Sequence, residues 1–199
     1  YPRYVYGALL DAGAGPHEIE YLTIETLRAR GYDLAGGYEQ VFLIGGAVVP
    51  GKYLGHKIGT TGEIRRIVES NERLRFAAGG MMGHLLAGEN RRNMVALRGD
   101  IEKYAHGFRR GEPRDERRTY AELARWAPAG AAVCGAHPGF PGLICEIETA
   151  RGCPRLAHCS FCSEGLVREV EFRGTEDILA EVDALIAAGG DDCDFVLDA

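Results

Sequence analysis

The sequence predicts an α/β fold in which an open, mostly parallel sheet is followed by one βαβ step of the kind that repeats in a (β/α) barrel. Three observations carry this expectation. Short apolar runs ending in glycine recur through the first two thirds of the chain, and amphipathic segments of helical period lie between them. After a stretch rich in Gly, Ala and Pro at 128–141, a strand, a long loop, a helix and a second strand follow in that order.

Taken in order, residues 19–24, 40–46, 74–80 and 131–135 read as buried strands of a parallel sheet. The clearest helix starts at Thr60, where Glu63 completes a capping-box pattern and Ile64, Ile67 and Val68 fall on one face. A second is expected over 115–126, with acids early and Tyr120, Leu123 and Ala124 inward. The run His137-Pro138-Gly139-Phe140-Pro141 punctuates the chain as a domain connection would, giving domains at 1–141 and 142–199. In the second, 143–149 reads as a strand, 150–165 holds the cysteine-bearing loop, 175–188 is a helix and 194–197 the next strand. That helix is marked by Thr175 as a cap, Glu176 and Asp177 at the positive end of its dipole, and Gly189-Gly190 at its close. Its apolar face is expected to be Ile178, Leu179, Val182, Leu185 and Ile186.

Composition excludes several classes. With 46% hydrophobic and 26% charged residues the chain has the balance of a folded protein. Its net charge of −6 provides no global basic field for nucleic acid or an anionic membrane. Arg65-Arg66, Arg91-Arg92, Arg109-Arg110 and the arginines of 114–118 are interleaved with acids and read as solvated helix faces. RNA would suit such patches, but nothing else in the sequence supports it. The longest apolar run, 41–49, is broken by Gly45 and Gly46 and falls short of the roughly 20 residues a bilayer span needs. No signal peptide is visible, so the expectation is a cytoplasmic protein with reduced thiols and no membrane partner. The chain starts at Tyr1 and stops inside a strand, as a segment of a longer protein would.

The six cysteines are absent from the first 133 residues and crowd into the last third. Cys153, Cys159 and Cys162 lie within ten residues, on a loop leaving the C-terminal end of a strand, where barrel enzymes place their active sites. Three thiolates are one short of closing a tetrahedral zinc site or fully ligating an iron-sulfur cluster. The plain alternative is a structural zinc knuckle with His158 or Cys145 as fourth ligand; otherwise His158 is solvent-facing loop. Cys134, Cys145 and Cys193 read as small buried hydrophobes. Glu146 and Glu148 share one face of the strand. If Cys145 and Ile147 pack on helices, those acids point into the barrel lumen; the other reading is a salt-bridged structural pair. Gly45-Gly46 and Gly79-Gly80 end strands without a GxGxxG and read as turns.

The segment Arg151-Gly152-Cys153-Pro154, with Cys159 and with Phe161 just before Cys162, resembles the signature of the radical S-adenosylmethionine (radical SAM) enzymes. Their pattern is CxxxCxxC with an aromatic before the last cysteine; here residues 154–158 make the first spacing two residues longer, a change loops tolerate. The resemblance implies a 4Fe-4S cluster held by Cys153, Cys159 and Cys162, with S-adenosylmethionine chelating the open iron. It implies reductive cleavage to a 5′-deoxyadenosyl radical that acts on an unknown substrate, and a one-electron donor such as ferredoxin or flavodoxin. The backbone around Phe161 would lie against the adenine. Residues 1–141 resemble the Rossmann-like domains that precede such barrels in cobalamin-dependent and methylthiotransferase-like members, without the ligands of either. The segment 54–59 around His56 has Leu54 where a cobalamin motif has Asp, and no cysteine precedes Cys134. The expectation is therefore a radical SAM iron-sulfur enzyme whose active site this segment alone leaves incomplete, because barrel sites draw on loops after several strands. The alternative is a non-catalytic binding module stabilised by zinc or an iron-sulfur cluster.

Overall fold

A computed structural model describes residues 2–45, 59–89, 91–157, 169–189 and 194–198, with Met81 and 194–198 described by backbone alone. In chain order the elements are α1 (Pro2–Asp11), α2 (Ile24–Ala29), β1 (Val41–Ile44), α3 (Thr61–Ser70), β2 (Phe76–Gly79), α4 (Met81–Leu86), β3 (Met94–Ala96), α5 (Ile101–Arg109), α6 (Tyr120–Ala129), β4 (Ile144–Glu148), β5 (Ala150–Arg151), β6 (Glu171–Phe172), α7 (Thr175–Gly189) and β7 (Asp194–Asp198). The chain is mixed α/β and divides by contacts into two compact units, Ala12–Arg118 and Arg3–Asp11 with Thr119–Ala199. The stretch 128–141, expected as a domain connection, lies inside the second of these.

The unit Ala12–Arg118 is built on a parallel sheet of order β1-β2-β3. All four residues of the central β2 are buried, as a parallel strand flanked on both edges requires. The expected strands at 40–46 and 74–80 are β1 and β2; β3 was not foreseen. Its core joins Ile64, Ile67 and Val68 of α3 to Leu43, Phe76, Ala78, Met82, Leu86 and Met94. Between the β1 and β2 ends the backbones touch. Gly80 has φ +69°, and a Cβ there would stand 2.7 Å from the Gly45 carbonyl oxygen, so only glycine fits.

α3 starts as its capping box dictates: Thr60 Oγ1 accepts the Glu63 N–H at 3.2 Å, and the Glu63 carboxylate accepts the Thr60 N–H at 3.0 Å. At its other end the buried Asn71 side chain accepts the Leu34 N–H and donates to the Tyr32 and Ile67 carbonyls. Glu63 does more than cap. It accepts from Arg28 Nε (2.7 Å) and Nη2 (3.0 Å) on α2 and from the Tyr32 hydroxyl (2.9 Å). The Arg28 fork chiefly, with the Thr60 N–H and Tyr32, holds the Glu63 carboxyl at about 2, against the opposing effect of burial.

Two expected strands are not strands. Over 19–24, Thr23 Oγ1 accepts the Thr26 N–H at 3.2 Å and caps α2, so Ile24 already opens a helix. Over 131–135 the chain carries on from α6 as a tighter 3-10 helix, Gly130–Ala136, with the Gly130 N–H donating back to the Trp126 carbonyl. The helix expected at 115–126 begins only at Tyr120, because Thr119 caps it and the Asp115 carboxylate is taken up by the N–H groups of Arg98 and Gly99.

In the second unit, α1 and α6 meet at their backbones: a Cβ on Gly7 would lie 1.8 Å from the Trp126 carbonyl oxygen, and one on Gly130 1.8 Å from that of Arg3. The expected βαβ step is present, β4 pairing in parallel with β7 and α7 connecting them. No closed barrel forms among the described residues. Thr175 is the first residue of α7 rather than its cap, since the Gly174 carbonyl accepts the Ile178 N–H. The apolar face of α7 is split: Ile178, Val182 and Leu185 pack against Cys145 and Ile147, whereas Leu179 and Ile186 are exposed. Among the described residues no helix is long and apolar enough to cross a membrane. His56 and Gly46 lie outside the described residues.

Because the folded value of Glu63, about 2, lies below its ordinary 4.5, its contribution to stability is complete above pH 4.5 and disappears as pH falls toward 2. Glu63→Gln is expected to cost about 1.5–3 kcal/mol at neutral pH and to flatten the acid limb of stability measured by urea unfolding. Wild type and variant losing stability in parallel over that acid range would refute the coupling.

Candidate functional site

The cysteine segment begins where β4 ends. Alternation along β4 sends Cys145 and Ile147, 4% and 0% exposed, into the core under α7, and leaves Glu146 and Glu148 half-buried on the other face. Glu148 pairs with Arg151 Nε at 3.4 Å, and the Arg151 guanidinium stacks 5.3 Å from the centre of the Tyr120 ring. The salt-bridged reading thus describes Glu148.

Beyond β4 the chain forms a loop closed at its base. β5 pairs antiparallel with β6, Ala150 opposite Phe172 and Arg151 opposite Glu171, so the chain before Gly152 and the chain after Val170 lie side by side. The Arg173 N–H donates to the Thr149 carbonyl (2.9 Å), and the Tyr120 hydroxyl donates to the Glu171 carbonyl (3.4 Å). Gly152 turns the chain at φ +84° immediately before Cys153. Cys153 is half-buried and its thiol is not in a disulfide. Cys159, Phe161, Cys162 and His158 lie outside the described residues, as does Cys193. The structure therefore places one of the three predicted ligands, at the C-terminal end of a parallel strand. Among the described residues no group of three or more His, Cys, Asp or Glu side chains is arranged to hold a metal.

The strand that leads to Cys153 has one edge paired with β7; its other edge is held by side chains. Arg3 Nη2 donates to the Glu146 carbonyl, the Tyr4 hydroxyl accepts the Glu148 N–H at 3.3 Å, and Arg173 Nη1 donates to the Glu148 carbonyl at 3.3 Å. Both arginines converge on Glu181, fully buried on α7: Arg3 Nε reaches its Oε1 at 2.7 Å and Arg173 Nη1 reaches its Oε2. Arg173 Nη2 also donates to the Asp177 carbonyl at 3.1 Å. Burial pushes the Tyr4 phenol up to about 12 despite the lowering effect of Arg3, so it stays neutral beside the strand. Removing one partner from such a buried set costs about 3–5 kcal/mol, because it strands a charge.

Arg3, Tyr4, Arg173 and Glu181 were not singled out from the sequence. One signal for Glu181 was legible: it stands three residues after Ile178 and four before Leu185, an acid in the middle of a helix face that packs inward.

The chain is 34% identical over 213 residues to an uncharacterized protein of Methanocaldococcus jannaschii, which matches 95% of this chain and 38% of the relative. It is 36% identical over 202 residues to an uncharacterized protein of Archaeoglobus fulgidus, matching 95% of this chain and 34% of the relative. The chain thus spans little more than a third of the length of these relatives. No family model matches it, and no solved structure does.

The placement of the thiols makes a prediction about their reactivity. Brief alkylation of the native, metal-free chain is expected to label Cys153 and to spare Cys145 until the fold is unfolded with denaturant. Mass spectrometry of the digested protein checks this, and equal labelling of the two would show Cys145 to be open to solvent.

Proposed function

We propose that this chain carries the cluster-binding start of a radical SAM enzyme, with Cys153, Cys159 and Cys162 as the ligands of one 4Fe-4S cluster. The observation that supports this best is the position of Arg151-Gly152-Cys153-Pro154, which starts within three residues of the end of the first strand of a parallel βαβ step, where β5 and β6 pair. The donor chemistry fits: thiolates are the ligands such clusters take, and Cys153 is half-buried and outside any disulfide. Cys145, by contrast, is packed with Ile147, Leu185 and Ala131, which weighs against its serving as the fourth ligand of a zinc knuckle.

When bound, the cluster and S-adenosylmethionine together supply reductive sulfonium cleavage and a 5′-deoxyadenosyl radical, with the electron drawn from a carrier such as ferredoxin or flavodoxin. The contribution of this chain is to hold the three thiolates on one loop, to set its approach through Gly152, and to lay the backbone near Phe161 against the adenine. Glu146 lies on the strand face away from α7, and in this reading it would face the interior of a barrel completed by further strands. The substrate is chosen by those further strands. The unit Ala12–Arg118 serves in this reading as a Rossmann-like domain without cobalamin.

Anaerobic reconstitution with iron and sulfide tests the assignment. About four irons per chain and a reduced-cluster electron paramagnetic resonance (EPR) signal are expected. Alanine at Cys153, Cys159 or Cys162 should abolish both, and alanine at Cys134 or Cys193 should change neither. Full iron loading of Cys159→Ala, or stoichiometric zinc without sulfide, would overturn it.

A further inference from the structure

We propose that Arg3, Tyr4 and Arg173, locked together by Glu181, are positioning residues that set where the cysteine segment starts; this rests on the reading of that segment given above. In a strand, alternate residues present their N–H and C=O groups to opposite edges, and an edge without a neighbouring strand must find other partners. On β4 the groups of Glu146 and Glu148 share the edge that side chains occupy. Arg3 takes the Glu146 carbonyl, Tyr4 takes the Glu148 N–H, and Arg173 takes the Glu148 carbonyl. The main chain of Arg173 then takes the carbonyl of Thr149 at 2.9 Å, one residue before β5.

Arg173 is placed to couple both ends of the loop. It follows β6, the returning strand, while its side chain grips β4, the outgoing one. Its guanidinium reaches three acceptors on two elements: Glu181 and the Asp177 carbonyl on α7, and the Glu148 carbonyl on β4. Only a planar fork can do this; an ammonium on a flexible stem matches the charge of Glu181 but not the three directions. Glu181 in turn ties Arg173 to Arg3, so a shift of α1 or α7 is transmitted to the carbonyls from which the loop departs. A cluster's assembly and potential depend on how its ligands are held and on the hydrogen bonds behind them, which is why this support bears on the chemistry.

Arg173→Lys separates positioning from charge balance, and it is examined in the full chain by thermal unfolding, amide hydrogen exchange of the cluster-free protein, and reconstitution. The expected result is an unfolding midpoint close to wild type, with exchange at residues 150–153 accelerated about tenfold relative to the rest of the unit. Iron uptake under identical reconstitution should fall to about half or less, with an altered EPR signal. Tyr4→Phe, which removes one acceptor and no charge, is measured in the same way and decides the matter if Arg173→Lys does not fold. Unchanged exchange at 150–153 in a folded variant would overturn the proposal, as would an acceleration spread evenly over the unit. A wild-type chain that takes up no iron and sulfide would sink the cluster reading, while the exchange measurements would still decide whether these residues position the loop.

Discussion

A single carboxylate, Glu181, organises the unit that carries the cysteines. It is fully buried on the inner face of α7 and satisfied by two arginines from opposite ends of the chain. An isolated charge in that place would be costly; Arg3 and Arg173 balance it, and each also donates to the backbone of β4. The position of α1, the bracing of β4 and the return of the chain at Arg173 all bear on this one group. The close crossing of α1 and α6 at Gly7 and Gly130 has the same consequence, because it brings Arg3 and Tyr4 to the strand.

Guanidinium–carboxylate coupling recurs in the other unit. Glu63 joins α3 to α2 through Arg28, and Glu102 takes Arg118 at 2.5 Å in a buried pair. Of the 23 basic residues only three are lysines, and these sites show where the geometry of arginine matters: a planar fork can bind two groups at once, as Arg28 does with both oxygens of Glu63. The arginine clusters that suggested solvated faces are partly such couplers. Arg65 and Arg91 share Glu89, and Arg109 pairs with Glu18.

For the proposed chemistry, the relevant feature is the fixed point from which the cysteine segment departs. β4 is paired on one edge, braced on the other, and packed on α7 beneath, so Cys153 leaves from a fixed place. The antiparallel pair of β5 and β6 and the stacking of Arg151 on Tyr120 close the loop's base. Loops held in this way by rigid elements are where binding groups can be both positioned and exposed.

What the sequence determined by itself was local or strongly periodic. The capping box at Thr60 and Glu63, the helical period of α7, and the apolar runs of β1 and β2 are written within a few residues of one another, as is the alternation that sends Cys145 and Ile147 inward. It misread 19–24 and 131–135, where apolar content suggested strands: Thr23 caps a helix at the first, and the second carries on from α6 as a 3-10 helix. Only the tertiary structure joined α1 to the cysteine-bearing unit and covered the open edge of β4. Arg3 and Glu181 are 178 positions apart, and nothing in the pattern around either residue specifies the other. A charge in a helix face announces that a partner is needed; which residue answers is settled by the packing that brings the two together.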